Sequence, residues 1–179
     1  PLTLTHFFER SRRLFPTKPV ATRVPGQPLF RYTYADFADR VCRLAGALPG
    51  LGVGPGDRVG TFAWNSHRHL ELYWAAPLSG AVLHTVNIRL SPRDIAYIVN
   101  HAGDTVLFVD ASLWPVIEPL RSELRTVRRM PAGSSRRVIA RLNTGENFGR
   151  RRARPWSIPT STPTTAPCAT IGQPIAAAS

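Results

Sequence analysis

The chain has 179 residues, of which 43% are hydrophobic, and it carries a formal net charge of +12. This length allows one domain, or one domain with a tail, and the apolar content can bury a core in at least part of it. Lys18 is the only lysine beside 22 arginines, a bias that argues against a tuned phosphate-binding surface, which usually mixes both residue types.

Cysteine content and apolar runs limit where the protein can work. Cys42 and Cys168 are too few for a disulfide framework, and neither lies in a C-x-x-C pair. No apolar run approaches the roughly 18 residues that span a bilayer, and the first residues lack the hydrophobic stretch of a signal peptide. We therefore expect a cytoplasmic protein without a transmembrane segment.

A helix, a hairpin and a second helix are predicted first. Apolar residues at helical spacing from Leu4 to Phe15 predict an amphipathic helix that Pro16 ends. Strand-like runs at 20–23 and 29–32, separated by Pro25-Gly26, predict a hairpin. Thr33, with Asp36 three residues later, predicts a capped helix. The apolar stripe of that helix comprises Phe37, Val41, Leu44, Ala45 and Leu48.

Strands and helices alternate from Asp57 onward. Strands are predicted at 58–63, 82–85 and 106–109, with a fourth beginning at 126–127. The intervening helices are predicted at 65–79, with Leu70, Tyr73 and Trp74 inward, and after Ser91-Pro92, which has an N-cap followed by proline. Ser112 is predicted to cap another helix, whose apolar face holds Leu113, Ile117, Leu120 and Leu124. This alternation predicts an α/β fold of parallel β/α units with helices on both sheet faces.

Periodicity ends after Met130. Leu142 is the only leucine in residues 131–179, where seven arginines stand against one acid, Glu146. Such a segment buries too little apolar area to offset the entropy of ordering it. We therefore divide the chain into an α/β part, residues 1–130, and a disordered tail, residues 131–179.

The segment from Gly52 to Asp57, GVGPGD, is the nearest approach to a phosphate-binding loop. A phosphate loop follows a strand and opens a helix, whereas this segment follows a helix and opens a strand. We expect a helix-to-strand turn that needs glycine at positive φ.

His67, His69 and Glu71 form the pattern H-x-H-x-E, and His84 is nearby in sequence. Residues two apart on a helix point about 200° apart, so the histidines cannot hold one ion unless the segment is extended. We expect the first turn and the exposed face of a helix instead of a metal site.

A basic run comprises Arg150, Arg151, Arg152 and Arg154. These side chains could bind nucleic-acid phosphates, but Phe148 and Trp156 flank the run without forming a stacking platform. A solvated basic run is the interpretation that we prefer. We expect no nucleic-acid partner, and a basic nucleic-acid-binding protein stays as an alternative.

The ordered part resembles the opening of medium- to long-chain fatty-acid:CoA ligases of the AMP-forming, adenylate-forming superfamily. The resemblance runs from about Leu4 to Met130. It is carried by Tyr32-Thr33-Tyr34, Gly52-Val53, Gly56-Asp57-Arg58-Val59, Asn65, Gly80-Ala81-Val82, His84-Thr85, Asn87, Arg89-Leu90-Ser91-Pro92 and Ile95 to Asn100. It implies a partial N-terminal domain of the adenylate-forming enzyme fold.

The resemblance also implies a two-step reaction. In this family a fatty carboxylate attacks the α-phosphate of ATP, with Mg²⁺ present, and gives an acyl-adenylate and pyrophosphate; the thiol of coenzyme A then displaces AMP. The family's phosphate loop, T-S-G-T-T-G-x-P-K-G, its acidic metal-holding motif and its later lysine do not occur here. We therefore assign no catalytic, cofactor-binding or metal residue and no cofactor to this chain.

Two departures from the family are visible. Pro49-Gly50 stands where relatives continue a helix, so we expect that helix to end early. The resemblance stops near Met130. The shifted codons of residues 159–170 can read D-V-D and, shortly after, A-M-C-Y, whereas such ligases carry an acidic stretch and then A-x-M-C-Y before their phosphate loop. We predict a truncated, frameshifted fragment that is inactive alone and that associates through exposed apolar faces. An oligomerisation or interaction module of such a ligase is the other alternative.

Overall fold

A computed structural model describes residues 4–23, 26 and 28–131 of the chain. The helices are α1 (Leu4–Leu14), α2 (Tyr34–Ala47), α3 (His67–Leu78), α4 (Pro92–Ala102) and α5 (Trp114–Ile117). The strands are β1 (Pro19–Thr22), β2 (Phe30–Thr33), β3 (Arg58–Phe62), β4 (Val82–Thr85) and β5 (Asp104–Val109). The predictions for residues 132–179, including disorder, reading frame and the arginine run, lie outside the described residues.

The predicted hairpin and the α2 start are confirmed. Strands β1 and β2 pair antiparallel, with Val20 opposite Tyr32. Thr33 and Asp36 form a reciprocal capping box at the start of α2. Helix α2 ends at Ala47 and continues as a 3₁₀ turn through Pro49, which cannot donate to the helical ladder.

The main sheet has three parallel strands in the order β4-β3-β5. An isolated parallel bridge joins Val106 to Arg129, and Leu107 donates its amide to the Arg129 carbonyl at 3.1 Å. The predicted fourth strand is thus present as one bridge, two residues beyond Val127. Since β4 and β5 flank β3, successive connections run in opposite directions along the sheet, as in doubly wound α/β folds.

Two apolar cores lie on opposite faces of this sheet, as predicted. Alternate residues of β5 divide between them: Val106 and Phe108 join the core under α1, α2 and α3, and Leu107 and Val109 join the core under α4 and α5. The residues alternate between the two cores because successive side chains of a pleated strand point to opposite faces of the sheet. The predicted stripe of α2 is fully buried in the first core.

The inward face predicted for α3 is wrong. Leu70 and Tyr73 are 38% and 44% exposed, whereas His67, His69 and Glu71 are buried. Trp74 is half-buried and packs against the first core. Glu71 and His69 turn inward toward polar partners on other elements, and the buried His67 ring packs against Phe30, as described below.

The segment after β5 also differs from its prediction. Asp110, not Ser112, is the cap, and it accepts the Ser112 amide at 3.0 Å. A single helix is replaced by two 3₁₀ turns, Ala111–Leu113 and Glu118–Leu120, on either side of α5. Pro115 lies near the start of α5 and Pro119 near the start of the second turn. The predicted apolar face is nevertheless correct, since Leu113, Ile117, Leu120 and Leu124 are all buried.

Candidate functional site

The glycine-rich segment at 52–57 is a packing turn. Gly52 and Gly56 have φ of 82° and 81°, as predicted from their position between α2 and β3. All its backbone amides donate within the protein: Gly52 to Pro49, Val53 to Leu48, Gly54 to the Asp57 carboxylate, Gly56 to Gly80 and Asp57 to Gly54. With every donor used, and proline at position 55, the turn has none left for a phosphate.

The H-x-H-x-E pattern is split among separate structural contacts. His69 and Thr61 lie within hydrogen-bond distance, with Nε2 and Oγ1 3.0 Å apart. The His67 ring packs 4.4 Å from the Phe30 ring, and its backbone amide donates to Thr22 Oγ1 at 2.9 Å, which caps α3 from the hairpin. In the part of the chain that the structure describes, no group of three or more His, Cys, Asp or Glu side chains is arranged to hold a metal ion.

His84 bonds to a carboxylate from another strand. Its Nδ1 lies 2.8 Å from Oδ2 of Asp104, a fully buried residue on β5, while His84 itself belongs to β4. The bridge passes over Gly60 of β3, where an added Cβ would lie 2.6 Å from Asp104 Oδ2. Burial raises the pKa of Asp104, and His84 and Arg58 oppose that shift.

A wide crevice opens where β3, β4 and β5 end. The first residues after β3 and β4, Ala63 and Val86, line it together with Asp110 directly after β5. Its volume is about 1160 Å³. Open parallel sheets bind ligands at their carboxyl edge, where neighbouring strands connect in opposite directions. The crevice occupies that edge and is the candidate functional site.

Positive charge predominates in the crevice lining. Arg23, Arg68 and Arg89 line it, against one carboxylate, Asp110. Asp110 is already bonded to the amide and the hydroxyl of Ser112. Such a lining favours anionic ligands.

Aromatic rings stand beside these charges. Trp64 is half exposed and its indole N–H donates to Ser112 Oγ at 3.0 Å, which fixes the ring at the crevice wall. Tyr73 lies 4.9 Å from His69, centroid to centroid. Burial lowers the pKa of His69, against smaller opposing effects of the Trp64 backbone and Asp110, so the imidazole is neutral near pH 7. The crevice thus offers flat apolar surface next to cationic groups.

The crevice was not predicted from the sequence. Its lining comes from separate segments: the loops after β3, β4 and β5, the first turns of α3, and Arg23 after β1. Asn65 and Arg68 follow β3, and Asn87 and Arg89 follow β4. Because carboxyl ends of parallel strands share one edge, polar residues directly after each strand are the signal that could have identified the site.

The strand order and the basic crevice at the carboxyl edge define a doubly wound α/β domain, a class whose ligands bind at that edge. A family model described as AMP-binding enzyme matches residues 8–166. The chain therefore belongs to the AMP-binding enzyme family. The matched range extends past Met130, where the resemblance was predicted to stop.

Curated relatives agree with this assignment. The chain is 52% identical over 127 residues to a long-chain-fatty-acid–CoA ligase from Thermus thermophilus, covering 71% of the chain and 24% of the relative. It is 34% identical over 127 residues to a medium-chain-fatty-acid–CoA ligase from Ectopseudomonas oleovorans, covering 71% and 23%. The chain thus spans about a quarter of the length of these relatives and resembles their N-terminal part.

Solved structures support the fold. A fatty acyl CoA synthetase of Mycobacterium tuberculosis aligns with a TM-score of 0.69 at 26% identity, over 79% of this chain and 28% of that one. The N-terminal domain of FACL13 from the same organism aligns with a TM-score of 0.71 at 24% identity, over 86% and 39%. The predicted N-terminal portion of the adenylate-forming fold is confirmed. Among the described residues, no helix has the length and hydropathy needed to cross a membrane.

Proposed function

We propose that the chain supplies the amino-terminal β/α layer of an AMP-forming fatty-acid:CoA ligase. In that reaction the fatty carboxylate displaces pyrophosphate from ATP, and the CoA thiol then displaces AMP from the acyl-adenylate. The 52% identity to the Thermus thermophilus ligase over 127 residues supports this proposal most strongly. The cytoplasmic location expected from the cysteine usage is part of the proposal.

Within that function, we assign the crevice to the phosphate-bearing substrates. ATP and CoA are both anionic, and Arg23, Arg68 and Arg89 line the crevice beside the exposed indole of Trp64. The arginines would hold phosphate oxygens and the aromatic walls would contact a base or an apolar chain. No bond-making step is assigned to these residues, because the family's phosphate loop, metal motif and lysine do not occur in this sequence.

Inactivity of the isolated chain is part of the proposal. A pyrophosphate-release assay with ATP, palmitate and CoA should show no turnover above background. Turnover by the purified chain would contradict the proposal, since it would require catalytic groups that the sequence lacks.

A chimera tests the function directly. Residues 4–131 would replace the aligned segment of the Thermus thermophilus ligase, and pyrophosphate release would be measured with the same substrates. We expect turnover, because the segment brings its own two cores and its own sheet edge. A chimera that folds, by circular dichroism and gel filtration, but does not release pyrophosphate would overturn the proposed function.

The crevice assignment is tested separately in this chimera, by measuring KM for ATP and for CoA. Arg68→Gln with Arg89→Gln should raise KM for ATP or CoA by roughly thirtyfold or more, since each of the two lost charge-assisted bonds contributes about 1 kcal/mol or more. Tyr97→Ser, an exposed change on α4, is the matched control and should leave both KM values unchanged. Unaltered KM values in the double variant would refute the crevice assignment and leave the ligase proposal standing.

The reading frame of residues 131–179 is a separate proposal. Their composition and shifted codons support an out-of-frame origin, whereas the family match up to residue 166 favours an in-frame one. The DNA sequence across the codons of Arg125 to Ser179 and beyond distinguishes the out-of-frame origin from the in-frame one. An alternative frame that encodes T-S-G-T-T-G would support the frameshift, and its absence would overturn it.

A further inference from the structure

Helix α1 presents large apolar side chains to solvent. We call Leu4, Phe7, Leu14 and Phe15 the α1 patch; their exposed fractions range from 47% to 56%. Leu4, Phe7 and Leu14 recur at helical spacing along α1, and Phe15 follows directly after its last residue. The patch is therefore one continuous surface along a helix about 16 Å long.

The core fixes the orientation of this helix. Phe8, next to the exposed Phe7, is 2% exposed and packs with its ring centroid 5.8 Å from Trp74 and 6.2 Å from Phe37. Helix α1 contacts both α2 and α3. Because Phe8 anchors the inner side, the α1 patch stays on the outside of the folded domain.

The charges around the patch are positive. Arg10, Arg13 and Lys18 are exposed on or just after α1. Its one acid, Glu9, is paired with Arg12 at 2.7 Å. Among the described residues, Arg10, Arg13 and Lys18 have no acidic partner. An apolar strip of phenylalanine and leucine beside such basic side chains is the composition of helices that lie in the interface of an anionic bilayer.

We propose that the α1 patch docks onto an anionic lipid surface, with Phe7, Leu14 and Phe15 entering the acyl boundary and Arg10, Arg13 and Lys18 contacting lipid phosphates. A second copy of the chain fits this surface less well. Two-fold pairing would place the patch of one copy against the patch of the other. It would also bring the positive arginines of both copies together without an acidic counterpart. The inference rests on the surface of α1 and does not depend on the ligase activity.

Vesicle co-sedimentation of the full chain tests the proposal. We expect binding to phosphatidylcholine vesicles that contain phosphatidylglycerol, weaker binding to pure phosphatidylcholine, and loss of the difference at high salt. Phe7→Ser with Leu14→Ser should lower the partition coefficient by about tenfold or more, since both side chains bury apolar surface in the bilayer. Arg10→Gln with Arg13→Gln should lower binding to the anionic vesicles by roughly tenfold and leave binding to neutral vesicles nearly unchanged.

Matched controls separate the patch from other basic and apolar groups of the chain. Tyr97→Ser removes a 65% exposed aromatic side chain from α4 and should bind vesicles like the unmodified chain. Bromolipids should quench the fluorescence added by Phe7→Trp and not that added by Tyr97→Trp. Folding of each variant is checked by circular dichroism, which should not change because the substituted side chains are exposed.

Two results would overturn the proposal. One is unchanged vesicle binding by the Phe7→Ser, Leu14→Ser variant. The other is a pair of observations: the unmodified chain binds no vesicles, and in gel filtration it self-associates whereas the patch variant does not. That pair would assign the surface to a second copy of the chain.

Discussion

Arg40 of α2 and Glu71 of α3 form a bidentate ion pair, with Nε to Oε1 at 2.7 Å and Nη2 to Oε2 at 3.2 Å. Tyr32 of β2 donates its hydroxyl to the same Oε1 at 3.2 Å. Burial first, and then the neighbouring Glu71 carboxylate, raise the pKa of that hydroxyl. One fully buried carboxylate on α3 therefore joins the hairpin, α2 and α3.

Removing this carboxylate should destabilise the domain. Glu71→Ala leaves the Arg40 guanidinium and the Tyr32 hydroxyl without their partner, and we expect the free energy of unfolding to fall by about 3 kcal/mol or more. Urea unfolding followed by circular dichroism measures the change. Arg40→Leu with Glu71→Leu should recover most of the loss, because a buried ion pair can be replaced by apolar packing. A double variant as unstable as Glu71→Ala would contradict this interpretation.

Gly60 should not tolerate a side chain. A Cβ there would lie 2.6 Å from Asp104 Oδ2 and 2.8 Å from Leu107 Cδ1. Gly60→Ala therefore forces the His84–Asp104 bridge or β5 to shift, at a cost of about 2 to 3 kcal/mol. Gly46→Ala is the control: it lies inside α2 with open space around its Cβ and should stabilise the domain by about 0.5 to 1 kcal/mol. Equal effects of both changes would refute the steric argument.

Phe7 and Phe8 are adjacent, yet their truncation should change the free energy of unfolding by very different amounts. Phe8→Ala empties a site between Phe37 and Trp74 and should cost about 3 to 5 kcal/mol. Phe7→Ala removes a side chain that is 56% exposed and should change the free energy of unfolding by less than about 0.5 kcal/mol. Thermal or urea unfolding measures both. A large loss at Phe7 would show that α1 is packed differently.

Local signals predicted much of the fold. The Thr33–Asp36 capping box and the Ser91-Pro92 helix start lie within four residues of sequence, and both are present in the structure. The apolar run of β5 was likewise visible in its own residues. These elements were predictable because their stabilising partners are neighbours along the chain.

The α3 face could not be predicted from α3 alone. Glu71 turns inward because Tyr32 and Arg40 supply its bonds, and they stand 39 and 31 residues away. The crevice could not be predicted for the same reason, since the residues of its walls come from segments that follow different strands. A prediction from periodicity places polar residues on the solvent-exposed face of a helix. That assignment was wrong for α3, because the environment of its polar side chains is set by tertiary partners.

Acidification should weaken the fold through His67. Burial, with smaller effects of Arg68 and Arg40, lowers the pKa of His67 to about 4, from about 6.5 in an unfolded chain. The unfolded state therefore binds more protons between about pH 6.5 and pH 4, so the free energy of unfolding falls as pH drops through this window, by up to about 3 kcal/mol.

His67→Phe isolates this contribution, because it removes the titrating group and keeps an aromatic ring against Phe30, 4.4 Å away in the unmodified chain. Urea unfolding at several pH values should give a shallower decline for the variant than for the unmodified chain. Part of the decline should remain in both, since burial also lowers the pKa of His69. Identical pH profiles would mean that His67 has the same pKa in the folded and unfolded states, and would rule out the assigned burial effect.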